Sequence, residues 1–230
     1  IPGEDEQIKY STQYLDKSLI ASAPAVALGQ VQKEFVEMLV LSKKSLRNSV
    51  EYFMNRDEQL REKGETYEDA INNFDEQMTD YLTLLFREKL SPKEGLIAST
   101  LLDGTRDVER IGDHARDIVL SVDYQIRKKL KFSDEAKAEV QEMYELCNDV
   151  ILKTIKSLEE NNIALAGAAL AACENIYALE KNARKQHTQR MKDGICEIPA
   201  GVVFMDLIQH FTRVCEHTRN ILEKEIQGHL

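Results

Sequence analysis

Between residues 106 and 118 the sequence reads RDVERIGDHARDI, with carboxylates, arginines and one histidine interleaved. Glu109, Asp113 and Asp117 recur at every fourth position, which on an α-helix stacks them one turn apart along one face. Carboxylates stacked in this way repel one another unless a cation or a basic group stands between them. An oxygen-rich set of that kind suits a hard ion such as Mg, Ca, Mn or Fe. The same spacing allows a blander chemistry, because Arg106 and Arg110 lie inside the acidic arc and can neutralise it as ordinary ion pairs one turn apart. On the helical wheel alone the solvated surface is favoured, since a charged face opposite an apolar one is what surface helices show.

The helix that would carry this face has a core side of its own. Val108, Ile111, Ala115, Ile118, Val119 and Val122 fall on an arc roughly 100° wide. Apolar residues recur at three- and four-residue spacing almost throughout the chain, and no segment alternates like a strand. Punctuation divides the pattern into six helices. The first runs from Pro24 to about Leu60, and Gly64 ends the connection after it. Thr66 followed by Asp69 resembles a capping box opening the second, and Ser91 with Pro92 starts a third over about 92–130. Ser133 is the expected N-cap of the fourth, Asn161 and Asn162 separate it from the fifth, and DGICEIP at 193–199 separates the fifth from a sixth ending near Ile226. Three consecutive helices per half, joined by short loops, predict an all-α chain of two tandem three-helix bundles. The divisions are a linker at 1–23, a first repeat at 24–131 and a second at 132–230.

Sliding the chain by 103 residues lays LLDGTRDVERIGDHARDI (101–118) over FMDLIQHFTRVCEHTRNI (204–221). Asp113 then falls on Glu216 and His114 on His217, while Glu109 is replaced by Thr212 and Asp117 by Asn220. A weaker echo pairs VQKEF at 31 with VQEMY at 140. An internal repeat built from one supersecondary unit accounts for both. The metal candidates are therefore Glu109, Asp113 and Asp117 in the first copy and Glu216 in the second, with the second copy poorer in charge. His187, His210 and His217 are read as surface or interfacial residues, as a lone helical histidine usually is.

Composition removes other functions. A formal net charge of -10 argues against nucleic acid as partner, because binding its backbone needs a basic face. Cys147, Cys173, Cys196 and Cys215 form no C-x-x-C pair and read as reduced cytosolic thiols rather than zinc ligands. The apolar stretch ALAGAALAA at 164–172 is far short of the roughly 18 residues that span a bilayer, so no direct membrane insertion is expected. The opening IPGEDEQ has no initiator methionine and reads as the start of a piece of a longer chain.

At DVERIGDHARDI the sequence resembles the PhoU family, whose repeats carry an L-E-R-I-G-D-H-A-x-N-I pattern on their third helix. Here Val108 stands for the Leu and Asp117 for the Asn. Its N-terminal part, YLDKSLIASAPAVALGQVQKEFVEML with YLTLL at 81, is similar to the PhoU-like cytosolic domain of bacterial sodium/phosphate cotransporters. The resemblance implies two three-helix bundles, a role in phosphate transport or its regulation, and in some relatives metal clusters held by E-x-x-x-D motifs. Carried over by position, that motif is Glu109 with Asp113, degraded in the second repeat to Thr212 with Glu216.

Three functions follow as expectations. The first is a non-catalytic regulatory domain on the cytoplasmic side of the inner membrane. Its partner would be a membrane-embedded transporter region of the same chain, with self-association left open. The second is a free-standing phosphate-signalling adaptor that docks on a transporter and a sensor kinase. The third is a helical-bundle metalloenzyme, disfavoured because no Glu-x-x-His pair, nucleophile-base pair or phosphate-cradling glycine loop is present.

Overall fold

The computed structural model describes residues 8–228 and 230; residues 1–7, which open the expected linker, lie outside the described residues. Among the described residues eight helices follow in order: α1 (Leu19–Ser22), α2 (Pro24–Asn55), α3 (Glu58–Leu85), α4 (Pro92–Arg127), α5 (Asp134–Glu160), α6 (Ile163–Cys173), α7 (Asn175–Lys192) and α8 (Ile198–Ile226). Among the described residues there is no strand. Helices α2, α3 and α4 pack on one another as one bundle, and α5, the α6 and α7 arm, and α8 pack as a second. The bundles join where α2 meets α5 and α4 meets α8.

Local chemistry sets most helix ends. Ser91 accepts from the Glu94 amide and Glu94 accepts from the Ser91 amide, a reciprocal capping box with Pro92 at the first helical position. Ser133 caps α5 by accepting from the Ala136 amide, and Asn161 ends it in the left-handed conformation that asparagine tolerates.

Two expected boundaries are corrected. The first long helix stops at Asn55 rather than near Leu60: Arg56 turns left-handed (φ 57°) and Asp57 caps α3 by accepting from the Gln59 amide. Gly64 and Thr66, read as a break and a cap, lie inside α3. The Thr66 hydroxyl donates to the Glu62 carbonyl one turn back. Gly64 is buried, with a Cβ there falling 3.3 Å from Val119, so its small size serves close packing rather than a turn. The count of six becomes eight because four residues of the linker coil into α1 and because the fifth helix divides at Glu174.

The α6 and α7 stretch, Ile163–Lys192, holds an 18-residue window of mean hydropathy 1.3, long and apolar enough by composition to match a membrane span. It is a wider apolar segment than ALAGAALAA alone suggested. In the fold it is divided at Glu174, and Ala166, Ala169, Cys173 and Ile176 turn into the second bundle.

The core runs through both bundles. Phe132, in the connection between α4 and α5, stands between Phe53 of α2 and Phe204 of α8, with ring centroids 5.6 and 6.3 Å away. Equivalent side chains also repeat across the halves: Ser42 Oγ donates to the Val108 carbonyl and Cys147 Sγ to the Phe211 carbonyl. Those pairs place Cys147 opposite Ser42, so the echo of VQKEF with VQEMY is one helical turn out of register.

Gly112, within the RIGDHA stretch, packs directly against Ile71 of α3. A Cβ there would stand 2.9 Å from Ile71 Cδ1 and 3.1 Å from its Cγ2. Helix propensity gains about 1 kcal/mol from Gly112→Ala, while overpacking a closed core costs about 1–3 kcal/mol. Because Ile71 is itself fully enclosed, net destabilisation is expected. Gly29→Ala, where nothing lies within 4 Å, should instead stabilise by about 0.5–1 kcal/mol. Urea midpoints for the two variants, moving in opposite directions, check this.

Candidate functional site

Helices α4 and α8 cross in opposite directions, so that His114 of α4 touches His210 of α8 while Asp107 touches His217. In the register of the repeat Asp107 corresponds to His210, and His114 to His217. The two contacts are therefore one contact made twice about a local pseudo-twofold axis.

In the first half the Asp107 carboxylate is well satisfied. Its Oδ1 lies 3.0 Å from His217 Nδ1 and accepts from Asn220 Nδ2 at 2.9 Å, and its Oδ2 accepts from Lys224 Nζ at 3.0 Å. The side chain is 12% exposed. Burial alone would raise its pKa, but hydrogen bonds from His217, Asn220 and Lys224 outweigh burial and hold it below the ordinary value.

The second half is built from imidazoles. His114 Nδ1 and His210 Nδ1 are 3.2 Å apart, which two neutral rings satisfy when one donates and the other accepts. Burial, reinforced by His210 and His217, pushes His114 down to about 4, and burial also lowers His210. Asp117 completes the group. Among the described residues, His114, Asp117 and His210 are the only three His, Cys, Asp or Glu side chains found with ligating atoms all within 4.8 Å of one another. They line an open cleft whose walls include Ser121, Tyr124, Val202 and Asp206.

The four sequence candidates are thus placed differently from one another. Glu109 and Asp113 share Arg110, whose Nη1 is 2.9 Å from Asp113 Oδ2 and whose Nε is 3.6 Å from Glu109 Oε2. Burial first, then the Asp113 charge, raises the Glu109 carboxyl. Asp75 of α3 adds to that rise, and its buried Oδ1 has no hydrogen-bond partner. Glu216 repeats the arrangement of Asp113, paired with Arg213 at 2.6 Å, and Tyr177 donates to it. The Thr212 hydroxyl, in the place of Glu109, donates back to the Ile208 carbonyl. Asp117 turns to the histidines.

Sequence reasoning left Asp107, His114 and Lys224 out of its site candidates, and weighed His210 only to set it aside. The signal was present in the repeat register, which sets His210 against Asp107, but it needed the crossing of the two helices to be read. His187 is buried and packs 5.1 Å from the Phe204 ring, while His210 and His217 lie at the interface of α8 with α4, each against an α4 side chain. Cys147, Cys173 and Cys215 are free and buried in the second bundle, with Cys147 and Cys215 sulfurs 3.5 Å apart.

A family model described as the PhoU domain matches residues 35–122 and 140–224. The chain is 23% identical over 197 residues to the phosphate-specific transport system accessory protein PhoU homolog 1 of Thermotoga maritima, covering 85% of this chain and 84% of that protein. Among solved structures it is similar to PhoU from Pseudomonas aeruginosa, with TM-score 0.81 and 17% identity over 89% of this chain and 99% of that one. It is also similar to the phosphate transport system regulatory protein PhoU from Streptococcus pneumoniae, with TM-score 0.78 and 18% identity over 88% and 95%. At these identities the structural likeness speaks for the fold.

Proposed function

The chain belongs to the PhoU domain family, and on that premise we propose that it is a non-catalytic regulator of phosphate transport that acts by docking on transport and signalling components at the cytoplasmic face of the membrane. The observation that carries this reading is the double family match, which takes in both copies of the motif helix, α4 and α8. Of the two regulatory versions, the free-standing adaptor is better supported than the cytosolic domain of a sodium/phosphate cotransporter. The relative is named as an accessory protein, and the match extends over 84% of its length. An in-frame membrane-spanning region encoded upstream of Ile1 would return the reading to the cotransporter version. The proposed repeats, 24–131 and 132–230, would then supply two faces to such partners.

A metal on the first repeat belongs to this proposal. Glu109 and Asp113 are the carboxylates that would hold a hard cation such as Fe, Mn, Mg or Ca, and Arg110, which pairs with both, would have to swing away to admit it. Bound there, the ion would offset the Asp113 and Asp75 charges that add to the effect of burial on Glu109. Asp117 could join only by turning from the histidines. The second repeat fits poorly, because Thr212 stands in the place of Glu109 and bonds its own helix, leaving Glu216 as the one carboxylate of that motif.

Deletion of the encoding gene in its host, with labelled phosphate uptake and a phosphate-starvation reporter measured at high external phosphate, tests the function. The expected result is a change in both that the wild-type gene reverses. Unchanged uptake and reporter would overturn it.

A further inference from the structure

The two halves of the α4 and α8 crossing differ in one respect with chemical consequences. At Asp107 the pseudo-symmetric contact contains its own cation, Lys224 Nζ, 3.0 Å from the carboxylate. In the repeat register the residue matching Lys224 is Ser121, which lines the cleft beside His114, Asp117 and His210. The imidazole half therefore keeps three donor side chains from two helices and has a short hydroxyl where its twin has an ammonium. His217, the remaining histidine of the cluster, has its Nδ1 occupied by Asp107.

We propose that His114, His210 and Asp117 form a site for one zinc or ferrous ion, seated where Lys224 places its charge in the other half. Two ring nitrogens at about 2.0 Å from a tetrahedral zinc stand about 3.3 Å apart, and the observed separation of His114 Nδ1 and His210 Nδ1 is 3.2 Å. Two imidazoles and one carboxylate make a borderline donor set that selects zinc or iron over magnesium or calcium. With three protein ligands, a further position faces the open cleft, the pattern of sites that keep a water or an exchangeable ligand. This site is separate from the Glu109 and Asp113 carboxylates, which are committed to Arg110, and it stands on side-chain geometry independently of the phosphate-regulation reading.

The test uses the full chain, stripped with a chelator and titrated with zinc chloride by calorimetry, with zinc-edge X-ray absorption on the loaded protein. One zinc per chain with two imidazole nitrogens in its shell is expected. His210→Ala should weaken binding by roughly a hundredfold or more, since losing even an outer-shell partner of a ligand costs up to that. Ser121→Lys, which installs the twin's ammonium, should abolish zinc binding with the melting temperature preserved, so that loss of metal and loss of fold are told apart. An oxygen-only shell, zinc binding that survives Ser121→Lys and His210→Ala, or no binding by the wild type would overturn the proposal.

Discussion

Arg190→Ala is expected to destabilise the protein by about 3 kcal/mol, because it leaves a largely buried carboxylate without its partner. Arg190, on α7, makes a bidentate pair with Glu139 of α5, Nη1 to Oε1 at 2.8 Å and Nη2 to Oε2 at 2.6 Å. The two side chains are only 10% and 15% exposed. The guanidinium also lies 5.3 Å from the Phe204 ring of α8, so one side chain ties three helices of the second bundle. Arg190→Lys keeps the charge but loses the planar fork and the stacking, and should fall between wild type and alanine. The paired replacement Arg190→Met/Glu139→Leu should recover most of the loss, since the penalty lies in the stranded charge rather than in the absence of attraction. In thermal melts the single alanine variant is expected to shift the midpoint down by roughly 6–12 °C for a domain of this size. A double variant as unstable as the single one would assign the effect to packing against Phe204 instead.

The sequence was legible where local chemistry decides and opaque where a second helix decides. Ser91, Ser133 and Asn161 end helices through bonds within a few residues, so their types at those positions suffice. Gly64 misled because a glycine that admits a neighbouring helix and a glycine that breaks its own helix look alike in sequence. Only the position of Val119 separates them. The break at Glu174 has no glycine or proline to announce it, and this structure supplies no capping side chain for α7 that would have served as a signal. Thr66 failed as a cap for a related reason: a capping box is a local pattern, but a hydroxyl inside a helix can equally bond one turn back.

The site divides along the same line. That α4 has a charged face and a core face follows from one helix, and Val108, Ile111, Ala115, Ile118 and Val122 are fully enclosed as that reading requires. The wheel also placed Arg110 among the carboxylates, which is where it pairs with Glu109 and Asp113. It could not show that the end of the row, Asp117, faces α8. Pairwise matching of the repeats draws attention to equivalent residues, His114 with His217, whose rings lie 5.6 Å apart, whereas the polar contacts join non-equivalent ones, His114 with His210 and Asp107 with His217. Equivalence in sequence therefore does not pick out these polar contacts, which join each residue to the counterpart of another.

Asp107→Ala is expected to cost about 2–4 kcal/mol, since it strands a lysine and leaves two further donors unpaired at the junction of the bundles. Asp107 is the single acceptor shared by His217, Asn220 and Lys224. Lys224 and His217 are 25% and 23% exposed as side chains, so water can re-solvate them in part. That places the loss below the cost of a fully enclosed broken pair. Lys224→Met alone should cost less than Asp107→Ala, because Asp107 keeps two donors, and the double variant Asp107→Ala/Lys224→Met should be less unstable than the sum of the two singles. Asp117→Ala is the informative contrast. It removes the carboxylate of the imidazole half, where no lysine depends on it, and should change stability by less than about 0.5 kcal/mol in chelated protein. Denaturant midpoints for this set test the asymmetry directly: if Asp107 and Asp117 prove equally costly to remove, the crossing is a symmetric clamp. If only Asp107 matters, one half holds the bundles together and the other is left free to bind.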